Sequence, residues 1–389
     1  MRSSAAISEH LDTRTAAIEV AGLLDSALEG QVDLVLVYGS FHHRESFEEA
    51  VADIKRTLNP SVIIGVTVES AVGCDLELEG VAGLSALAMQ LPGVTLTPWT
   101  TTPNKPVPIS KPERIPEWIG LQEDTKAVFF FADPFSTPIT RLLPALVNAA
   151  GATNEIPIIG GMASGASQKG FNRLILNDEL ITGGGIGLTM SGDVHIDCIV
   201  SQGCRPIGEP LVITNIKDNV ILELGGKPAL DVLKELAQSL SPEERQMVKE
   251  GVLLGGVIDE QKRHFGRGDF LVRSILGLDH KRKGIAAGEF YRLGKTVQFH
   301  VRDAQTAVED LQLLLDTQEL EDQPFAGLLV TCNGRGKKLF FEEDCDLTII
   351  RERIGEVPIA GFFAAGEIGP IGNESFLHGH TSCLTLFRS

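Results

Sequence analysis

Three times along the chain, proline introduces a short apolar run that closes on glycine: NPSVIIG at 59–65, IPIIG at 156–160 and VPIAG at 357–361. Proline disfavours the α conformation in the residue before it, so each run begins as extended backbone just where a helix must stop. What precedes each run is similar. Val32–Tyr38 (VDLVLVY), Ala127–Ala132 (AVFFFA) and Gly327–Thr331 read as buried strands, each followed by an amphipathic stretch. The first stretch carries Phe47, Val51, Ile54 and Leu58 behind a Ser46/Glu49 capping box. The second spans about 136–150. The third shows Leu347, Ile350 and Ile354, closed by Gly355. A strand–helix–strand order repeated three times requires helical crossovers between parallel strands. The short β–β links that follow, at 83–90 and Gly187–Met190, add antiparallel neighbours.

The expectation is therefore an α/β fold of mixed sheets with outer helices. An αββα sandwich is one way for such sheets to stack. An additional helix is expected over Asp12–Glu29. Pro98–Pro116 holds six prolines in nineteen residues and reads as an extended connector. The region 194–302 is less regular, with a helix at Ala229–Leu240 and strands near 252–258, 270–276, 284–290 and 296–301. Asp303 then caps a further helix. Taken as a divergent fourth unit, this region completes two pseudo-repeated halves, with domains at 30–200 and 210–389.

Charge narrows the partners. With 34 Lys+Arg against 52 Asp+Glu, the net charge of −18 opposes binding to nucleic acid or anionic membrane. No apolar run approaches the roughly 18 residues that span a bilayer. The first ten residues lack a charged-then-apolar signal pattern. Six cysteines lie scattered without a C-x-x-C pair, which points to free thiols in a reducing cytoplasm.

In sheets of this kind ligands gather beyond the carboxyl ends of strands. Those ends carry Asp133 and the run Cys332-Asn333-Gly334-Arg335-Gly336, and the Pro-led strand of the last unit runs into Gly366-Glu367. Cys332 beside Arg335 suits a nucleophile or redox sensor, or simply a small apolar residue at a strand end. Arg335 suits a carboxylate clamp or a surface salt bridge. Glu367, after a strongly apolar strand, either takes up a proton, holds a ligand ammonium or pairs with Arg335. His378 and His380, two apart on an extended segment, share one face, in metal or haem geometry or as structural histidines. The GGMASG loop lacks the lysine of a P-loop and is not a G-x-S-x-G elbow, and no H-E-x-x-H occurs.

Taken together, IIGVTVESAVG, FFFADPFS with IPIIGGMASGAS, GDFLVRSILGLD, LLVTCNGRG and GFFAAGEIGPIG with FLHGHTS resemble the FIST family. Its members are sensory proteins built of an N-terminal and a C-terminal FIST domain. The resemblance spans about 33–387. It implies a cytoplasmic small-ligand sensor, with amino acids as the ligands usually proposed, acting through a signalling partner protein. Haem is the alternative that some relatives suggest. No catalytic residue is carried over. On this reading Asn333 and Arg335 hold a ligand carboxylate, with Gly336, Gly366 and Cys332 around it. Glu367 or Asp133 meets the ammonium, and His378 or His380 serves the haem alternative. An enzyme using Cys332 or Glu367 is left open.

Overall fold

A computed structural model describes residues 1–151 and 155–389. They form two compact units, one of Met1–Val200, Leu311–Leu377 and Thr381–Ser389, the other of Ser201–Asp310 with His378–His380.

The first unit is written three times over. Its first copy runs β1 (Arg2–Ser8), α1 (Thr13–Ala27), β2 (Leu34–Ser40), α2 (Phe47–Leu58), β3 (Val62–Val68), the hairpin β4 (Ala71–Gly73) and β5 (Leu76–Leu78), then β6 (Leu84–Gln90). The second runs β7 (Val94–Thr101), α3 (Ile115–Trp118), β8 (Thr125–Ala132), α4 (Ile139–Gly151), β9 (Ile158–Met162), the hairpin β10 (Leu174–Leu176) and β11 (Glu179–Ile181), then β12 (Gly185–Gly192). The third copy opens with β13 (His195–Gln202) and is then interrupted by the second unit.

That unit holds β14 (Cys204–Lys217), β15 (Val220–Leu224), β16 (Lys227–Pro228), α5 (Ala229–Ser239), α6 (Pro242–Glu250), β17 (Val252–Val257), β18 (Phe270–Asp279), β19 (Gly284–Ala287) and β20 (Thr296–Arg302). The chain leaves it along α7 (Ala304–Asp316). The third copy then resumes as β21 (Ala326–Cys332), α8 (Lys337–Phe340), α9 (Cys345–Ile354), β22 (Ile359–Ala364), the hairpin β23 (Glu367–Ile371) and β24 (Glu374–His378), and β25 (Thr381–Arg388).

Three six-stranded sheets result, in the orders β1-β6-β2-β3-β10-β11, β7-β12-β8-β9-β23-β24 and β13-β25-β21-β22-β4-β5. Each is built around a parallel pair, β2–β3, β8–β9 or β21–β22, whose second strand is the Pro-led run. The hairpins are exchanged in a cycle. The first copy lends its hairpin to the third sheet, the second to the first and the third to the second. The glycines that close the runs have a steric cause. A Cβ on Gly160 would stand 2.1 Å from the Phe130 carbonyl oxygen, and one on Gly361 1.7 Å from that of Leu329. Each is the register partner across the parallel pair.

Inner faces of all three sheets share one core, including Leu36, Ile64, Phe129, Leu188, Leu328 and Phe387. Tyr38, Phe131 and Phe362, one from each sheet, meet there with ring centroids 5.0–6.2 Å apart. Helices lie outside: α1 and α2 cover the first sheet, and α4 covers the second. The layering is that of sheets inside and helices outside, with three sheets rather than two around the core. Burial on both faces explains why the strands read as continuous apolar runs.

Three local expectations change. Residues 41–46 already form 3₁₀ turns, so Ser46 (φ −114°, ψ 19°) lacks the extended backbone that a cap needs and makes no capping bond. A capping box does form at Ser241/Glu244, opening α6. The proline-rich stretch is not all connector: β7 includes Pro98, which an edge strand tolerates because one side of it needs no ladder bonds. Finally, 204–302 is not a fourth strand–helix–strand unit. Its strands are antiparallel neighbours, and β14 pairs with β20 along its first part and with β15 along its second. The ring β14-β20-β17-β18-β19-β15 thereby closes on itself as a six-stranded barrel. Ile207, Leu254, Val297 and Phe299 lie in its core.

Candidate functional site

The third copy ends its first strand in a tight reversal. Arg335 N–H donates to the Cys332 carbonyl at 2.8 Å, and Gly334 N–H donates to Cys332 Sγ at 3.3 Å. This folds Arg335 inward, where it is 0% exposed. Its guanidinium forks onto Asp346 in the first turn of α9, Nε to Oδ2 at 3.0 Å and Nη2 to Oδ1 at 2.7 Å. Asp346 also accepts the Thr331 hydroxyl at 3.0 Å, and Phe340 lies 5.2 Å from the guanidinium carbon. The surface salt bridge considered for Arg335 is thus a buried pair. The fork and the Thr331 bond offset part of the desolvation of the pair.

The borrowed hairpin supplies more acid. Glu77, on β5, accepts the Leu347 N–H at 2.9 Å, at the start of α9. Burial, then the neighbouring Asp346, pushes its pKa up to about 8. Glu79 accepts the Lys337 N–H at 2.8 Å. Gly336 is needed here: its φ is +57°, and a Cβ would stand 2.3 Å from the Glu79 carboxylate.

Glu367 opens β23 beside this cluster and is fully buried. Its Oε2 accepts the Thr381 hydroxyl at 2.7 Å and the Thr381 N–H at 3.2 Å. Burial raises its pKa to about 8, while Thr381, Arg335 and a hydrogen bond with the Cys332 thiol oppose the rise. Four buried polar atoms in the cluster have no conventional hydrogen-bond partner: Arg335 Nη1, Asn333 Oδ1, Glu367 Oε1 and Glu77 Oε2.

Cys332, Asn333, Arg335, Gly336, Gly366 and Glu367, singled out in the sequence, therefore come together, since Cys332 lies level with Ala364 across β21–β22. Asp133 is buried just past the end of β8. Its carboxylate is held by Asn172 Nδ2 at 2.9 Å and Ser136 Oγ at 2.5 Å. His378 and His380 belong to the second unit. His378 is buried and ends β24. His380 adopts φ 65°, and its carbonyl accepts the Gly203 N–H.

Glu77 and Asp346 were missed. Asp346 had a signal, because it stands four residues before Ile350 on the apolar stripe of α9. Glu77 had none. Two cavities are lined by other residues: one of about 530 Å³ by Asp12, Arg14, Glu49 and Arg56, one of about 370 Å³ by Cys74, Asp75 and Arg351. Cys332 is half-buried, as are its neighbours Asn333 and Gly334.

These features define an α/β protein with a buried acid–guanidinium–thiol cluster. Among the described residues no group of three or more His, Cys, Asp or Glu is placed to hold a metal ion. The FIST N domain model matches residues 33–227 and the FIST C domain model matches 229–370. The chain belongs to the FIST family, whose domains are sensory domains of signal transduction. An "Uncharacterized protein" of Mycobacterium tuberculosis (strain H37Rv) is 36% identical over 394 residues, covering 100% of both chains. Another, of Mycobacterium bovis, is 33% identical over 401 residues, covering 100% of this chain and 99% of the relative. A solved structure, cyanuric acid hydrolase from A. caulinodans, aligns over 100% of this chain and 99% of its own, at TM-score 0.34 and 8% identity. That likeness is too slight to carry an assignment.

Proposed function

We propose that this protein is a cytoplasmic sensor that binds a small polar metabolite, an amino acid or a similar compound, at the Cys332–Glu367 cluster and signals through a partner protein. The observation that carries the reading is the set of four unpartnered buried polar atoms. A buried polar group left without a partner costs about 1–3 kcal/mol, so native proteins rarely keep several together unless something satisfies them. Arg335 Nη1 is a charged donor suited to a ligand carboxylate. Glu367 Oε1 and Asn333 Oδ1 are acceptors suited to an ammonium or hydroxyl.

Asp346 already fills the forked face of Arg335, so a ligand carboxylate takes a single bond there rather than two. The carboxylate of Asp133 is engaged by Asn172 and Ser136, which favours Glu367 for the ammonium. No helix among the described residues is long and apolar enough to cross a membrane.

Thermal unfolding in the presence of an amino-acid and metabolite panel tests the reading. A compound at 100 times its dissociation constant raises stability by about 2.7 kcal/mol. The increment is expected to disappear in Glu367→Gln for ammonium-bearing ligands. No stabilisation by any compound at millimolar concentration overturns the proposal.

A further inference from the structure

Six cysteines are present, and their surroundings differ in kind. Cys198 and Cys383 are held up by burial, Cys198 to about 12. Cys345 is raised to about 11 by burial and then by Asp346 and Glu77. Cys74 is raised by burial and Asp75. Cys204 is buried. Cys332 stands at a strand end, half-exposed, and its sulfur receives the Gly334 N–H at 3.3 Å. The Arg335 guanidinium lies close enough to interact with its charge, and the Glu367 carboxyl hydrogen-bonds its thiol. A backbone N–H and a cation both favour the thiolate. Thr381 grips Glu367 by Oε2 through two bonds, so the carboxyl cannot swing away. The arrangement of nucleophile, adjacent base and orienting third group is the one by which a thiol is made reactive.

We propose that Cys332 is a nucleophile that adds reversibly to the carbonyl of a bound 2-oxo acid, with Glu367 carrying the proton from sulfur to oxygen. The step balances without any oxidant or leaving group. The Sγ–C bond forms as the C=O π bond breaks, and its electron pair moves to oxygen. The thiol proton passes to the Glu367 carboxylate and then to that oxygen, leaving a hemithioacetal or hemithioketal. Arg335 Nη1, unpartnered and buried, receives the ligand carboxylate. Glu367, near 8, is close in acidity to a thiol, so the proton moves between them with little penalty. The proposal rests on the ligand-binding reading and narrows the ligand from amino acids to carboxylates that carry an adjacent carbonyl.

The test follows alkylation of each cysteine by iodoacetamide at pH 7.5, read by peptide mass spectrometry, with and without glyoxylate. Cys332 is expected to react roughly ten-fold or more faster than half-exposed Cys74 and Cys345. Millimolar glyoxylate is expected to slow Cys332 alone, and ¹³C-glyoxylate to show a bound hemithioacetal carbon that Cys332→Ser abolishes. Glu367→Gln is expected to lower the Cys332 rate about ten-fold and leave the Cys74 rate unchanged. A Cys332 rate equal to that of Cys74, or no protection by glyoxylate in the native protein, overturns the proposal. Under either failure, thermal stabilisation of Cys332→Ser by a panel amino acid would leave the sensing reading standing. Its absence as well would remove both.

Discussion

Replacing Glu367 with glutamine should make the protein more stable at neutral pH and flatten its response to pH. The ordinary carboxyl value is 4.5, and burial lifts Glu367 to about 8 in the folded chain. Between those values the folded state keeps a proton that the unfolded state has released. Unfolding therefore becomes easier as pH rises, by about 1.4 kcal/mol per pH unit for each such group. From 4.5 to neutrality this amounts to about 3 kcal/mol of lost stability. The loss is absent at and below 4.5 and complete near 8. Glutamine keeps the volume of the acid and a carbonyl for Thr381, and it never ionises. Urea unfolding from pH 5 to 8.5 measures the effect. Both tryptophans, Trp99 and Trp118, lie in the first unit, so their fluorescence follows the part of the chain that contains Glu367. The variant is expected to lose one proton's worth of slope, and Glu77, raised to about 8 for similar reasons, should supply the remainder. Identical slopes for the native protein and Glu367→Gln would refute the account of Glu367 as a desolvated acid.

Three further outcomes follow from the same geometry. Asp346→Ala should destabilise the first unit by about 3–5 kcal/mol, because it leaves a buried guanidinium unpaired; adding Arg335→Met should restore much of that, as urea titration of the double variant would show. Gly361→Ala should be among the most damaging single-methyl changes available, since its Cβ would overlap the Leu329 carbonyl at 1.7 Å, and circular dichroism on heating should register a lowered midpoint. Binding of an amino acid near pH 7 should release close to one proton, because an ammonium favours the ionised form of Glu367; calorimetry in buffers of different ionisation enthalpy counts it, and a count of zero with clear binding would place the ammonium elsewhere.

Much of the local structure was legible because it has local causes. Proline after a helix, a short apolar run and a closing glycine mark β3, β9 and β22 wherever they end up in space. The apolar stripes of α2 and α9 follow from the 3.6-residue period. The approach of Glu367 to the Cys332–Gly336 loop was legible too, since a parallel pair with its helix outside brings the two strand ends level. The capping box at Ser46 misled, because the motif describes residue types while the cap requires a backbone conformation that the preceding 3₁₀ turns withhold.

What the sequence by itself determined is therefore the parallel strand pair at the heart of each sheet of the first unit, the helices α2, α4 and α9 between those strands, and half of the candidate site. Tertiary structure decided the rest, for a physical reason common to each case. The exchange of hairpins among three sheets depends on which edge each hairpin pairs with, and backbone N–H and C=O groups offer the same bonds at every edge. Closure of the barrel depends on β14 being long enough to serve two partners, which no residue type announces. The Glu77–Leu347 bond joins groups 270 residues apart. A glutamate in an alternating strand reads as solvent-facing until the fold places α9 over it. That placement desolvates Glu77 and sets it beside Asp346 and Arg335 in the cluster.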